Sequence, residues 1–478
     1  MEKINIISQP AAILLTLIIS ISFVVIGVIY SKKYRGINNY LVANRSIGFF
    51  SLTTSFVASA LGTWILFGPA SAATWGGLGS VIGYSIGTAF PLLILIYLGK
   101  KFRKLYPKGK TFIEIIRARF GLDLFKLILF LSIFYIAIFL IAEVTAVSIL
   151  INYISGTDLW ISSLIIIFCS LIYTLYGGLR ASIFTDNIQF IVFGILLLIA
   201  FSYLITLNNN EFSFDYIKLN KPELLSKNYL PNFIAGLTFF LAVAATNLFH
   251  QGNWQRVYAA KNNNILKRSL IMSFIIILPI VYLMGFSGLV AVSKNSNVFP
   301  DLAFFSLLLN ENIWTMAFII LLLGISLTIS SIDTLINAIS SLIIVDGKKV
   351  FKFNTDYLKY SKYFIIIISL VAFIIASYGL SILYLFLLAD LFCCAAVITV
   401  FFTFFKKGIS EKNAYISIII GLFIGLLLFP SPDFSKSILV GILFPIDFFP
   451  NFMSKSLLFL SFFFCYIYSN TSLENKIK

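Results

Sequence analysis

Glu143, Asp186, Asp333 and Asp390 interrupt stretches that are otherwise apolar, and His250 is the only histidine among 478 residues. One polar run within an apolar stretch is Leu327-Thr328-Ile329-Ser330-Ser331-Ile332-Asp333-Thr334-Leu335-Ile336-Asn337. Its hydroxyls at 328, 330, 331 and 334 surround one carboxylate. Oxygen donors of this kind suit a hard cation, here a monovalent one such as Na⁺. A lone Ser or Thr in a membrane helix commonly bonds its own i−4 carbonyl; four beside an Asp are harder to read that way. Glu143 and Asp390 are functional candidates because a carboxylate at hydrocarbon depth is costly unless it meets a cation, a partner or water. The ordinary alternative for both is a helix–helix hydrogen bond or a neutral carboxyl.

Backbone interruptions mark where such groups could gather. Thr246-Asn247-Leu248-Phe249-His250-Gln251-Gly252-Asn253 begins about fifteen residues after Pro231, near the expected midplane. It reads as a solute-lining break, against the alternative of a wet helix end beside Arg256. Ala58-Ser59-Ala60-Leu61-Gly62-Thr63-Trp64, followed by Gly68-Pro69, could unwind and free carbonyls for an ion. On its own, that segment reads better as a small-residue packing seam with a Pro kink.

The elements that must position these groups are membrane helices. With 60% hydrophobic and 11% charged residues, the chain is not a soluble globular domain. A bilayer core needs about 20 apolar residues per helix. Thirteen spans are predicted, at 11–31, 48–72, 74–98, 124–151, 159–176, 184–206, 231–252, 269–293, 313–344, 358–377, 379–405, 413–430 and 455–469. The segment 438–449 reads as interfacial or re-entrant. The first span lacks a cleavage site, and its basic cluster follows it, so it reads as an anchor and not a signal peptide. Cys169, Cys393, Cys394 and Cys465 all fall in apolar spans, which argues for buried thiols and against a disulfide framework. No Walker loop, CxxC pair or metal-ligand spacing occurs.

The net charge of +16 is a topology signal and not a nucleic-acid footprint. With alternating loops, 28 of the 35 Lys and Arg fall on one side. The positive-inside rule makes that side cytoplasmic, with the N-terminus outside and the C-terminus inside an inner, plasma-type membrane. Two interruptions five helices apart predict an inverted repeat. The divisions are an extra helix and loop at 1–47, repeats at 48–206 and 207–405, and two further helices and a tail at 406–478.

The stretch Gly177-Gly178-Leu179-Arg180-Ala181-Ser182-Ile183-Phe184-Thr185-Asp186-Asn187-Ile188-Gln189 resembles the GGL-x-A-x-x-x-TD-x-x-Q signature of the sodium:solute symporter family. Trp254-Gln255-Arg256-Val257-Tyr258-Ala259-Ala260-Lys261 is similar to its QR-x-x-AAK motif, and Asn39–Gly48 to its DYFLAGRSLG entry. The likeness runs from about residue 38 to 430 and points to bacterial members. It implies an all-α polytopic protein of about thirteen helices with a leucine-transporter-type five-plus-five inverted repeat. It also implies a Na⁺ site from the carbonyls of Ala58, Leu61 and Leu327 with the hydroxyls of Ser330 and Ser331, and Asp186 nearby. Solute-contacting residues would fall at His250 and Gln251, and Asp333 matches a variant found in bacterial members. Ala60 stands where proline carriers have Asp, and His250 where sugar carriers have Asn, which argues against both solutes.

The resulting expectation is a Na⁺-coupled symporter importing a small polar organic solute, such as an amino acid, carboxylate or urea-like molecule. Site residues are Ala58, Leu61, Asp186, Leu327, Ser330 and Ser331 for Na⁺, and His250, Gln251, Asp333 and Asp390 for solute. No cofactor besides the coupling ion is expected, and the partners are the solute, Na⁺ and the bilayer. Coupling to H⁺ through His250, Asp186 or Asp333 is the first alternative. A solute sensor acting with a separate kinase is the second. An enzyme ranks last, for want of a paired nucleophile and base. Asp186, read as opening a helix, has an N-cap as its ordinary alternative role.

Overall fold

A computed structural model describes residues 4–207, 211–309, 313–350, 356–402, 409–432, 437, 462–465 and 467. Among them, ten helices are long and apolar enough to cross a membrane, and two further apolar helices are shorter. A helix stands at each of the first twelve expected positions. The expected thirteenth span, 455–469, lies outside the described residues apart from 462–465 and 467. The segment 438–449 lies wholly outside them.

The first helix, α1 (Gln9–Ser31), begins with Pro10 in its first turn, where a missing N–H costs nothing. The expected second span divides. Its first part is α2 (Phe49–Ala60), which ends where Leu61 turns extended (φ −101°, ψ 90°). A short 3₁₀ turn, Thr63–Leu66, follows, and α3 (Gly68–Leu105) starts with Pro69. Helix α4 (Leu122–Ser155) carries Glu143. Helix α5 (Leu159–Leu207) covers two expected spans and reverses at Gly178, whose φ of 60° favours glycine. A β-carbon there would also press on the Tyr40 ring.

The second interruption separates α6 (Leu230–Phe249) from α7 (Gln251–Ala259) at His250, which is extended (φ −66°, ψ 113°). The remaining helices are α8 (Asn263–Lys294), α9 (Trp314–Leu342), α10 (Tyr357–Ala376), α11 (Ile382–Phe402) and α12 (Glu411–Leu428). Helices α3, α6 and α8 pack together, and α9 packs between α4 and α5. Helix α11 lies against α4 and α6. The four cysteines are buried and none is in a disulfide among the described residues.

Lipid tails supply no hydrophobic drive between helices, so close packing of small residues must hold them. Gly79, Gly83 and Gly87 form such a stripe on α3. A β-carbon at Gly83 would fall on the Gly236 backbone of α6, and one at Gly87 would come 2.8 Å from the Phe239 carbonyl. Gly83→Val should therefore eliminate folded protein from the membrane. Gly194→Ala, with nothing within 4 Å of the added carbon, should leave abundance and monodisperse elution unchanged.

Candidate ion and solute site

The two interruptions lie beside one another against α9. Ser330 donates to the Ala58 carbonyl at 3.3 Å, next to the end of α2, and to Asp186 Oδ1 at 2.8 Å. Ser331 faces the break itself: a β-carbon on Gly62 would come 2.5 Å from Ser331 Oγ. Leu61 caps α2 in an extended conformation, and Leu327 lies one helical turn before Ser331. Thr63 ties the break to α9 through a hydrogen bond to the Thr328 hydroxyl and a 3.2 Å bond to the Gly324 carbonyl. The Ala58 carbonyl and the Ser330 hydroxyl thus meet between α2 and α9, oxygen donors of the kind a hard monovalent cation takes.

Asp186 is not a helix cap. The helix resumes at the Gly178 reversal, so Asp186 lies two turns inside it with its carboxylate pointing inward. Its Oδ2 accepts from Arg256 Nη2 at 2.8 Å and from Ser55 Oγ at 2.6 Å; both partners of the ion pair are fully buried. Arg256 also donates to Thr334 Oγ1 at 2.9 Å, the Ser55 hydroxyl at 2.7 Å and the Gly252 carbonyl at 3.1 Å. Sequence reasoning met Arg256 only as part of a motif and as the mark of a helix end. In the structure it is the hub joining α2, α5, α7 and α9.

Beside this hub is a small cavity of about 50 Å³. Ser59, Ala60 and Trp64 line it from the first break, and Thr246, Asn247, His250 and Asn253 from the second. Glu143, Tyr84, Ser331, Thr334 and Asp390 complete its polar surface, and Phe139 and Phe386 its apolar walls. His250 Nδ1 accepts from the Gly252 N–H at 2.9 Å, which leaves Nε2 as its free ring nitrogen. Asp390 Oδ1 accepts from Thr246 Oγ1 at 2.6 Å, and Glu143 Oε2 from the Thr63 N–H at 2.9 Å.

Two expected solute residues do not line the cavity. The extended His250 starts α7 in a new direction, so Gln251 faces away from the chamber. Its amide donates to Ser341 Oγ at 3.0 Å and to the Lys110 carbonyl at 3.3 Å. Asp333 faces α5 and accepts from Ser182 Oγ at 2.7 Å and Thr185 Oγ1 at 3.4 Å. Neighbouring residues on α9 differ by about 100° in facing, so Thr334 reaches the cavity and Asp333 does not.

Gln251 belongs to a floor on the side rich in Lys and Arg. There Thr111 Oγ1 donates to Asp346 Oδ2 at 2.6 Å, Lys349 pairs with Glu114 and Asp346 at 3.4 Å each, and Arg45 donates to the Gly109 carbonyl at 2.7 Å. Toward the opposite side, Ser71 of α3 donates to Asp301 at 2.9 Å. Burial pushes the Asp301 carboxyl above its usual range, opposed by the Ser71 hydroxyl.

Comparison with known proteins agrees with this arrangement. The sodium:solute symporter family pattern matches residues 40–421. A spermidine transporter of Candida albicans is 26% identical over 409 residues, 83% of this chain and 77% of the relative. Sodium/glucose cotransporter 1 of Ovis aries is 28% identical over 192 residues, 37% of this chain but only 27% of the relative. The structure of a substrate-bound, outward-open Na⁺-coupled sialic acid symporter superposes with a TM-score of 0.69 at 18% identity, covering 96% of this chain and 98% of that one. A nucleobase-cation-symport-1 family transporter superposes at 0.57 and 14% identity, covering 91% and 93%. The fold is therefore of the leucine-transporter type, and the protein is a multi-pass membrane transporter and not an enzyme. On the family match across residues 40–421, this chain belongs to the sodium:solute symporter family, the Na⁺-coupled carriers of small solutes.

Proposed function

We propose that this protein imports a small polar organic solute by alternating access, with Na⁺ bound by the carbonyls of Ala58, Leu61 and Leu327 and the hydroxyls of Ser330 and Ser331. The observation that carries the proposal is the end of α2 at Leu61, set against the hydroxyl pair of α9, with Ser330 reaching the Ala58 carbonyl. Sodium held there would tie α2 to α9 and keep the chamber formed. Asp186 touches the site through Ser330 and tunes it without facing the solute. His250 and Asp390 meet the solute in the chamber, and Gln251 acts in the floor that must open inward. We take the N-terminus as external, on the charge bias of the loops. Each Na⁺ moving inward across about 100 mV then supplies roughly 2.3 kcal/mol.

Relatives carry spermidine, glucose and sialic acid by their names. These solutes do not share one chemistry, so the cavity has to identify the solute here.

The ion site can be tested without knowing the solute. Purified protein should melt at a higher temperature in NaCl than in KCl at equal ionic strength, because a ligand that binds only the folded state stabilises it. In Ser330→Ala and Ser331→Ala the Na⁺ concentration for half of that shift should rise about ten-fold, as loss of roughly 1.4 kcal/mol of binding would give. Equal melting in both salts, or unchanged Na⁺ dependence in both variants, would remove this site.

A further inference from the structure

Of the four carboxylates singled out by their depth, two line the chamber. Asp186 has Arg256, and Asp333 faces hydroxyls of α5. Glu143 and Asp390 instead line the chamber from α4 and α11. Both are at least 96% buried, at 1% and 4% relative exposure. Glu143 receives a backbone N–H on one oxygen, and Asp390 a hydroxyl on one oxygen. No Lys or Arg pairs with either among the described residues, and no Lys or Arg lines the cavity.

That chemistry selects among solutes. A carboxylate or sialic-acid-like anion would enter a chamber of its own sign, where repulsion is strong at low dielectric. A neutral sugar would leave both carboxylates without a counter-charge. An ammonium group removes the penalty by supplying the cation that a buried carboxylate requires.

The walls point the same way. Trp64 stacks on Tyr84 at 5.5 Å between ring centroids, and Tyr84 on Phe239 at 4.8 Å. Phe139 meets Phe386 edge-on at 5.0 Å. Aromatic faces of this kind take methylene chains and the flanks of ammonium groups alike.

Resting on the symport reading above, we propose that the solute is an aliphatic amine with at least two ammonium groups, held between Glu143 and Asp390 with its methylenes against Trp64, Tyr84, Phe139 and Phe386. Two carboxylates, one from each of the packed helices α4 and α11, explain why one amine would not suffice. A monoamine neutralises one and leaves the other buried and uncompensated. The Nε2 of His250 is left to donate to an acceptor such as a carboxylate, and as a neutral ring it adds no charge to a chamber with Arg256 behind it.

The test uses the purified full chain in saturating NaCl. Melting temperature is followed against spermidine, 1,4-diaminobutane, butylamine, proline and glucose. Spermidine and diaminobutane should raise it saturably, with butylamine at least ten-fold weaker. Proline and glucose should leave it unchanged. Asp390→Asn and Glu143→Gln should each weaken the diamine response at least ten-fold, and Asp390→Asn should keep the Na⁺-dependent shift. A diamine response that survives in both variants would overturn the assignment of these carboxylates. Absence of any amine response while the Na⁺ shift persists would overturn the solute class and leave the ion site standing. Loss of the Na⁺ shift in the wild type would strike the symport reading itself.

Discussion

Arg256→Ala should yield almost no folded protein in the membrane. The substitution leaves Asp186 fully buried with only the hydroxyls of Ser55 and Ser330 as donors. Breaking one side of a buried ion pair costs about 3–5 kcal/mol, because the remaining charge has lost both water and partner. That is a large part of the net stability of most folded chains. The variant also removes bonds to Ser55, Gly252 and Thr334, which join both interrupted helices to α9. Replacing both charges by apolar residues of similar volume, as in Asp186→Leu with Arg256→Met, should restore much of the abundance, since no orphaned charge remains. It should not restore the Na⁺-dependent melting shift, because Ser330 loses the acceptor that orients it. Membrane abundance and detergent elution profiles of the two variants check this. Wild-type abundance in Arg256→Ala would contradict the pairing.

Gly62→Ala should abolish Na⁺ and solute responses together. The backbone of Gly62 is extended (φ −90°, ψ −175°), so conformation does not forbid alanine. Space does: the added carbon would collide with the Glu143 carboxylate and come 2.5 Å from Ser331 Oγ. Both groups would have to move, one from the chamber and one from the proposed ion site. Moving Glu143 also breaks its bond from the Thr63 N–H, which holds the unwound segment open. Uptake and both melting shifts should vanish, while Gly194→Ala retains them. Normal Na⁺ dependence in Gly62→Ala would show that the break does not hold the ion.

What sequence alone revealed divides along physical lines. Groups costly in hydrocarbon stood out, Asp390 and Glu143 as lone carboxylates in apolar spans and Asp186 within a polar motif between two apolar runs. The two interruptions were visible as Gly62 with Gly68-Pro69 and as the polar run about His250. Arg256 was not visible as Asp186's partner. The pair spans 70 residues and two helices, and a basic residue near a helix end has a simpler reading in the loop. Gln251 and Asp333 lie off the cavity lining for a local reason. Each is one residue from a cavity-lining neighbour, His250 or Thr334, and only the turn at His250 or the pitch of α9 decides which side chain faces in. The acidic character of the chamber was hidden as well. It arises where α4 and α11 meet the two breaks, and each helix alone shows one carboxylate.

Direct binding of radiolabelled Na⁺ to the purified protein tests the central claim. The account predicts saturable binding that excess K⁺ does not displace, lost in the Ser330→Ala/Ser331→Ala double variant and retained in Asp390→Asn. Saturable Na⁺ binding that survives the double variant, or no saturable binding in the wild type, would contradict it.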